Sequence, residues 1–283
     1  MKNKVIYAVL AAMFPLVGCT QSGSSGGSPE LVEGTVGISV PAEVKAATDT
    51  DDATEVRYIM QAWTVGENGT SGELAFEYVW PGRTVGEGVK EPVRMIPGVY
   101  NILFWADRDA DGSGDVYNAE DLNNVRVVGL QSGGSGTGEN SYVSGDERDA
   151  FCGVLRNYRF TAGAAMDITL SRPLAKVVVA NASAISSSQS VSLKITGGLP
   201  LGYDVLKGQP LTDNTAAQSL TIDYGEATSG NTAILTDYFF PPVSSAPIEG
   251  TLKVGEAEQT LSLGSEDIVA NYTTNITLNL NIL

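Results

Sequence analysis

Apolar residues recur at every second position along many short segments of this chain, and this period limits the folds open to it more than any other feature. In the segment LAFEYVW, one side of an extended backbone carries the apolar residues Leu74, Phe76, Tyr78 and Trp80. Successive side chains of a β-strand point to opposite faces, so the pattern predicts a strand with one face in a core. The segment VYNILFW has the same period from Val99 onward.

The same period marks most of the remaining chain. Further strands are predicted from the segments that begin at Gly34, Arg57, Met166, Ala175, Ser190, Ser219, Ala233, Gly250, Gln259 and Asn275. Clusters of Gly, Pro, Asn and Asp separate these segments, as turns between strands require. A short helix is predicted from NAEDLNNV, with Asn118 as its cap. Many short strands at this spacing predict an all-β fold built from sandwiches.

The apolar series starts afresh after Arg172 and Pro173, and we place a domain joint there. Residues 33–173 are predicted to form an N-terminal β-sandwich domain and residues 174–283 a C-terminal one. The Gly- and Ser-rich stretch at residues 132–146 is predicted to be a loop. Large aromatic side chains usually bury most of their surface, which predicts core positions for Trp63, Trp80 and Trp105.

The first residues have the order of a secretory signal. Lys2 and Lys4 precede an apolar run that is too short to cross a membrane as a helix, so residues 1–18 are assigned to a signal peptide. The letters LVGC that end at Cys19 are similar to the lipobox of bacterial lipoproteins, in which the cysteine becomes the acylated first residue of the mature chain. Cys19 is therefore predicted to be lipidated, and the alternative is an ordinary signal peptide that contains a cysteine. The Gly- and Ser-rich residues 19–32 are predicted to be a flexible tether.

The charge balance and the absence of histidine exclude several functions. The chain has 17 basic and 33 acidic side chains and a net charge of −16, so nucleic acid is not predicted as a partner. Without histidine, neither a Ser-His-Asp or Cys-His nucleophile nor the common zinc ligand sets can form. Carboxylate-only hydrolysis stays open, but no carboxylate pair stands out by its spacing, and an enzyme is not predicted. Cys152 is predicted to be a buried apolar thiol.

The stretch DADGSGDVYNAE, residues 109–120, matches the spacing of a twelve-residue calcium loop. Such a loop supplies oxygen ligands from alternate positions, turns sharply at a glycine and closes with a bidentate carboxylate. The predicted Ca²⁺ ligands are Asp109, Asp111, Ser113, Asp115 through its backbone carbonyl, and Glu120. The serine and the preceding strand depart from the usual pattern, so a solvated Asp/Gly turn is the alternative.

Four motifs in a fixed order carry a resemblance to a known family. IPGVYNILFWAD is followed by ERDAFCG and ITLSRPLAKVVV, and later by TDYFFPP around Tyr238 and a final alternating strand. Together with LVGC, these motifs resemble the fimbrillin-type lipoproteins of Bacteroidetes, the pilin-like subunits of type V pili. The resemblance implies two tandem transthyretin-like, Greek-key β-sandwich domains, export as a lipoprotein, and polymerisation by strand exchange.

The resemblance also implies roles for the two ends of the chain. In polymerising members of the family, a trypsin-like or Arg-specific protease removes the lipidated N-terminal strand, and the emptied groove accepts a strand from the next subunit. The segment GTVGISV, residues 34–40, fits the removable strand, and Lys45 and Arg57 fit the cut points. The donor strand would carry Ile276, Leu278, Leu280 and Ile282. For both segments the alternative is an ordinary first or last strand of its own sandwich.

The resulting expectation is a structural subunit of a cell-surface fimbria. Its lipid would hold it in the outer membrane, and its partners would be other fimbrial subunits or further copies of itself. The alternative is a surface lipoprotein, in an adhesin, tip or anchor role, that binds a host or bacterial glycan or peptide without polymerising. A carboxylate-dependent hydrolase is the third candidate.

Overall fold

The computed structural model describes residues 29–41, 55–84, 87–109, 116–130, 144–212, 220–243 and 246–280. Almost all elements in these residues are strands, and the helical ones are two short 3₁₀ turns, η1 (Glu67–Gly69) and η2 (Gly145–Arg148). The predicted all-β fold is confirmed. Within the described ranges, no helix is long and apolar enough to cross a membrane.

The strands divide into two series along the chain. The first series is β1 (Val32–Ser39), β2 (Glu55–Val65), β3 (Ser71–Thr84), β4 (Val89–Met95), β5 (Gly98–Asp107), β6 (Tyr117–Asn118), β7 (Val125–Val127), β8 (Ala150–Phe160) and β9 (Ala165–Thr169). The second series is β10 (Ala175–Asn181), β11 (Gln189–Gly197), β12 (Gly202–Asp204), β13 (Gln209–Pro210), β14 (Leu220–Ala227), β15 (Ala233–Phe239), β16 (Ile248–Val254), β17 (Ala257–Leu263) and β18 (Thr273–Leu278).

The helix predicted at Asn118 is wrong. That stretch forms the end of β6, a turn and the start of β7. The turn is bound to the neighbouring sheet, because the Leu122 amide donates a hydrogen bond to the side-chain oxygen of Gln61 in β2 at 3.0 Å. Of the predicted loop at residues 132–146, most lies outside the described residues.

The strands of the two halves pair in the same way and in the same chain order. In the first half, β1 lies between β4 and β9, and a second sheet has the order β3-β2-β5-β8. In the second half, β10 lies between β15 and β18, and the second sheet has the order β14-β11-β16-β17. Both β1 and β10 pair antiparallel with one neighbour and parallel with the last strand of their half. Each half is therefore a copy of the same two-sheet arrangement.

The two sheets of the first half enclose a first core. Its members occupy alternate positions of the strands, as in β1, where Val36 and Ile38 are buried and Thr35 is exposed. They share this core with side chains of β2 and β5 such as Met60 and Phe104, which have no exposed surface. The alternation in the sequence thus reports which face of β1 is buried.

A second core fills the second half and extends beyond it. It contains Leu252 of β16 together with Leu103 and Trp105, which lie on the opposite face of the sheet β3-β2-β5-β8. That sheet is therefore buried on both faces, and β2 and β5 are buried along most of their length. Strands covered on both faces carry apolar residues at successive positions, which explains the run VYNILFW. The predicted core tryptophans are confirmed, with Trp80 in the first core and Trp63 partly buried against the second.

A fifth sheet joins the two halves. Its order is β13-β12-β7-β6, so two strands come from an insertion between β5 and β8 and two from an insertion between β11 and β14. The halves meet where Val125 of β7 pairs with Tyr203 of β12. The predicted joint at residues 172–173 lies between β9 and β10. The division into domains 33–173 and 174–283 remains a prediction, since the second core and the fifth sheet both extend across it.

Aromatic side chains connect the halves beneath this sheet. Phe240 stacks on Tyr203, with ring centroids 5.3 Å apart, and meets Tyr117 edge-on at 6.3 Å. Tyr117 in turn contacts Trp105 edge-on at 5.4 Å. Such aromatic pairs contribute about 0.5–1.5 kcal/mol each beyond the area that they bury. The end of β15 is thereby fixed to β5 of the other half.

Replacing Phe240 tests whether the halves fold as one unit. Phe240→Ala removes a buried ring that contacts both halves, and it should lower the free energy of unfolding by about 3–5 kcal/mol in a single transition. The matched control is Tyr272→Ala, because Tyr272 is 67% exposed and its loss should cost less than about 0.5 kcal/mol. Urea denaturation followed by circular dichroism and tryptophan fluorescence measures both. Two separated transitions would show that the halves unfold independently.

Candidate functional site

The predicted removable strand, residues 34–40, coincides with most of β1 and is the centre of its sheet. It pairs antiparallel with β4, from Val32 opposite Met95 to Ile38 opposite Val89. On its other side it pairs parallel with β9. Neighbouring strands lie about 4.8 Å apart, so without β1 the edges of β4 and β9 would face each other across a gap one strand wide. We call this gap the β1 slot.

Backbone hydrogen bonds fix both ends of β1 in the β1 slot. At its start, the Gly163 amide donates to the Glu33 carbonyl and the Thr35 amide donates to the Ala164 carbonyl, both at 2.8 Å. At its end, the Ser39 carbonyl accepts a hydrogen bond at 2.8 Å from the amide of the residue after β9. The turn between β8 and β9 therefore clamps the strand where it enters the sheet.

The inward-pointing side chains of β1, and that of Val40 directly after it, are anchors. Val36, Ile38 and Val40 lie in the first core, and each is at most 3% exposed. Glu33 and Thr35 point outward and are exposed. Burial of one aliphatic side chain of this size contributes about 1.5–3 kcal/mol. Any other occupant of the β1 slot must therefore supply apolar side chains with the same alternation.

Of the two predicted cut points, the structure describes Arg57 and not Lys45. Arg57 is buried in β2, where its guanidinium bonds the carboxylate of Asp107 at 3.1 and 2.7 Å and that of Asp109 at 2.9 Å. Burial raises the pKa of the Asp107 carboxyl, although the Arg57 guanidinium and the hydrogen bond from the Trp105 indole both lower it. A protease would have to pull β2 out of its sheet to reach Arg57. Cleavage at either residue remains a prediction.

The predicted donor strand is paired within its own half. β18 lies parallel to β10 at the edge of a three-stranded sheet. Leu278 is buried, and Ile276 and Leu280 pack partly buried against the second core. Asn181 fixes the end of the segment, since its side chain donates to the Leu280 carbonyl and accepts from the Leu280 amide. Ile282 lies outside the described residues, and donation of this strand remains a prediction.

The predicted calcium loop is described only at its two ends. Asp109 is buried, and its carboxylate pairs with Arg57 at 2.9 Å. Glu120 is exposed, and its backbone carbonyl accepts a hydrogen bond from Gln61 at 2.8 Å. The remaining predicted ligands lie outside the described residues: Asp111, Ser113 and Asp115. In the described parts of the chain, no three acidic, histidine or cysteine side chains are grouped as metal ligands would be, and calcium binding remains a prediction.

The structure describes one of the two cysteines, Cys152. Cys19, the predicted lipidation site, lies outside the described residues. Cys152 is buried, as predicted, and burial raises the pKa of its thiol to about 12. At neutral pH the thiol stays protonated and lacks the thiolate that nucleophilic chemistry needs.

Sequence reasoning missed an ionic cluster where the halves meet. Arg172 donates two hydrogen bonds to the carboxylate of Asp149, at 2.6 and 2.8 Å. Arg148 is 2% exposed, donates to the Tyr238 carbonyl at 3.2 Å and lies 3.5 Å from the Asp237 carboxylate. We call these five residues the joint cluster.

The joint cluster brings three of the family motifs together. Its residues come from ERDAFCG, from LSRPLAK and from TDYFFPP. At its edge, Lys176 and the Tyr238 hydroxyl both donate to the Asp146 carboxylate at 3.0 Å. Burial would raise the pKa of Asp146, but these two donors outweigh it and lower the pKa below its ordinary value. The sequence signal for this cluster was the order of the motifs. Its residues lie as far as 90 positions apart, so no hydrophobic period connects them.

Comparison with solved structures finds proteins of Bacteroidetes. They include a candidate adhesin from Bacteroides ovatus, with 12% identity, 92% of this chain and 98% of that chain covered, and a TM-score of 0.47. The tip fimbrial protein Mfa3 from Porphyromonas gingivalis, with a C-terminal truncation, has 12% identity, coverages of 82% and 81%, and a TM-score of 0.46. A candidate polysaccharide-binding protein (DUF1812) from Bacteroides thetaiotaomicron has 12% identity, coverages of 83% and 81%, and a TM-score of 0.49. These are fimbrial and candidate adhesion or binding proteins.

The family model that matches the sequence is DUF6562, a family of unknown function, and it covers residues 31–280. The chain belongs to this family. No curated protein matches the sequence significantly.

A charge placed on each face of β1 tests which side chains anchor it. Val36→Asp should lower the free energy of unfolding by about 4 kcal/mol or more, because it puts an unpaired carboxylate into the first core. Thr35→Asp puts the same group on the exposed face and should cost less than about 1 kcal/mol. Thermal and urea denaturation of the two variants give the comparison. Equal losses would mean that β1 is not seated by its inward side chains.

Proposed function

We propose that this protein is a structural subunit of a cell-surface fimbria, exported as a lipoprotein and assembled by β-strand exchange. The observation that carries the proposal is the place of β1, which is paired on both sides and joined to β2 only through residues 42–54. A single cut in that connection would separate β1 from the body together with the preceding residues, including Cys19. The β1 slot would be emptied and the lipid removed in one step.

The β1 slot has the physical character that strand exchange needs. Once emptied, β4 and β9 would each present unpaired backbone N–H and C=O groups to an incoming strand. The first core would present the pockets of Val36, Ile38 and Val40. An extended segment of another subunit would add as a strand in the manner of β-augmentation, with main-chain bonds for affinity and pockets for specificity. Because the new strand would regain the bonds and burial of β1, we expect the joined subunits to separate slowly.

The proposed partners follow from this arrangement. They are other fimbrial subunits or further copies of this chain, with the outer membrane as a partner through the acyl chains on Cys19. The proposed location is the outer membrane and the cell surface. The net charge of −16 opposes binding to nucleic acid, because phosphates need a basic surface. A subunit at the end of a filament could also bind a host or bacterial surface ligand. The proposal includes no catalytic step.

A second candidate function is a surface lipoprotein that binds glycan or peptide, in an adhesin, tip or anchor role, without polymerising. It is favoured by the pairing of both terminal strands, β1 and β18, inside the chain, and by the burial of Arg57. In this role β1 would stay in its slot and the lipid would remain attached. The two functions differ in whether the connection at residues 42–54 is cut.

Limited trypsin treatment of the purified protein separates the two functions. We expect a first cut after Lys45, because Arg57 is buried, followed, in the presence of other fimbrial subunits, by ladders of SDS-resistant multimers as freed slots take up strands. Lys45→Gln should abolish the cut and the ladder. The control Lys253→Gln, at an exposed strand position, should change neither.

Mass spectrometry locates the cut, and gels without boiling show the multimers. A chain that is cut after Lys45 and stays monomeric in the presence of those subunits would contradict assembly by strand exchange and would favour the binding role. A first cut after Arg57 would show that β2 opens more readily than its ion pairs suggest.

The lipid is tested by exchanging the cysteines one at a time. Cys19→Ser should abolish incorporation of labelled palmitate and move the protein out of the membrane fraction of a Bacteroides host. Cys152→Ser is the matched control and should keep both, because that thiol is buried. Label that persists in Cys19→Ser would refute the lipobox assignment.

A further inference from the structure

Two glycines of β1 lie where a side chain would have little space. A Cβ atom added at Gly34 would meet the Phe160 ring at 2.6 Å and the Ala164 carbonyl oxygen at 2.7 Å. One added at Gly37 would collide with the carboxylate of Asp167. Neither glycine has a positive φ, so the need is for space and not for an unusual backbone conformation.

The wall beside Gly34 is rigid. Phe160 has no exposed surface and belongs to the first core. The Ala164 carbonyl accepts the hydrogen bond of the Thr35 amide, and the Gly163 amide of the same turn donates to the carbonyl of the residue before Gly34, both at 2.8 Å. A methyl group at position 34 would therefore displace the turn that clamps β1. Overpacking of this kind typically destabilises the packed contact, here the contact between β1 and the turn after β8.

The wall beside Gly37 is softer. Asp167 lies on β9 and is exposed, so its carboxylate can rotate toward solvent to make room. A side chain at position 37 should be tolerated better than one at position 34. The β1 slot therefore limits side-chain size strictly at position 34 and loosely at position 37.

Neither the strand equivalent to β1 in the second half nor the proposed donor segment matches these limits. β10 holds the equivalent place in the second half and contains no glycine. The C-terminal segment proposed as a donor has none either, since Gly264 is the last glycine of the sequence. Any register that seats its apolar residues in the pockets of Val36, Ile38 and Val40 brings a residue with a side chain against Phe160.

We propose that the β1 slot selects its occupant by size at position 34. It accepts an extended strand with glycine at that position and β-branched residues two, four and six positions later, as in β1 itself. It rejects the C-terminal strand of a second copy of this chain. This inference rests on the proposed strand exchange, and it makes the partner a different subunit that carries a strand of this spacing.

The experiment uses the whole chain with a specific protease site placed within residues 42–54. The cut protein is unfolded in urea and refolded with an excess of labelled synthetic strand, and retention is measured by gel filtration and fluorescence anisotropy. The strands are the native residues 29–41, the same peptide with Gly34→Ala or with Gly37→Ala, the control peptide with Thr35→Ala, and residues 272–283. Thr35 points outward, so its change alters a side chain without touching the wall.

We expect the native and Thr35→Ala peptides to be retained equally. The Gly34→Ala peptide should compete at least about tenfold less well, the order of effect that overpacking by one methyl gives, and Gly37→Ala should fall between. The peptide of residues 272–283 should not displace the native one. In a body with Phe160→Leu, which lacks the obstructing ring atoms, the disadvantage of Gly34→Ala should shrink.

The outcomes separate the inference from the proposed function. If the native peptide is not retained, strand exchange in this slot is refuted and the inference with it. Equal retention of the native and Gly34→Ala peptides, or displacement by residues 272–283, would overturn the size limit while strand exchange stands. An unchanged ratio in Phe160→Leu would show that the wall is not the cause.

Discussion

Burial of the sheet β3-β2-β5-β8 on both faces is the constraint on which the rest of the structure depends. One face builds the first core with β1, and the other belongs to the second core with the strands of the second half. Loss of β1 would uncover only the first of these faces. The second half would still cover the other, so the floor of the β1 slot would remain supported. A binding surface that keeps its shape when empty loses less conformational entropy on binding, which favours the proposed strand exchange.

The same contact between the halves explains the position of the joint cluster. Arg148, Arg172 and their carboxylate partners lie where β8, β10 and β15 converge. Buried ion pairs add little net stability, because desolvation offsets the attraction, but breaking one leaves an unpaired buried charge. Such pairs therefore disfavour alternative placements of one half on the other. This cluster and the fifth sheet together define the angle between the two halves, which each subunit of the proposed filament would keep.

The period of two predicted β1 and β10 and their buried faces, because buried positions alternate with less buried ones along both strands. It did not predict what covers β2 and β5, since periodicity says that a face is buried and not which element buries it. Arg57 shows the same limit: a charged residue at a strand start suggested an accessible cut point, while its partners Asp107 and Asp109 lie about fifty positions away. The helix predicted at Asn118 failed because Gln61, distant in sequence, binds the turn. Of the candidate site, the apolar anchors were predictable, and the glycine contacts were not, because they depend on the turn after β8.

The repeat within the chain explains why only one of its two central strands is a candidate for exchange. β10 occupies the same place as β1 and is paired in the same way, so backbone bonding cannot distinguish them. Connectivity does, because β10 is joined to β9 and β11 on both sides and cannot leave without the chain unfolding. β1 is the first of the described strands and is joined to the next one through residues 42–54. Under the proposed strand exchange, the glycines of β1 have a role that β10 does not need. A slot that takes up a new strand must recognise it, whereas β10 is positioned by the chain itself.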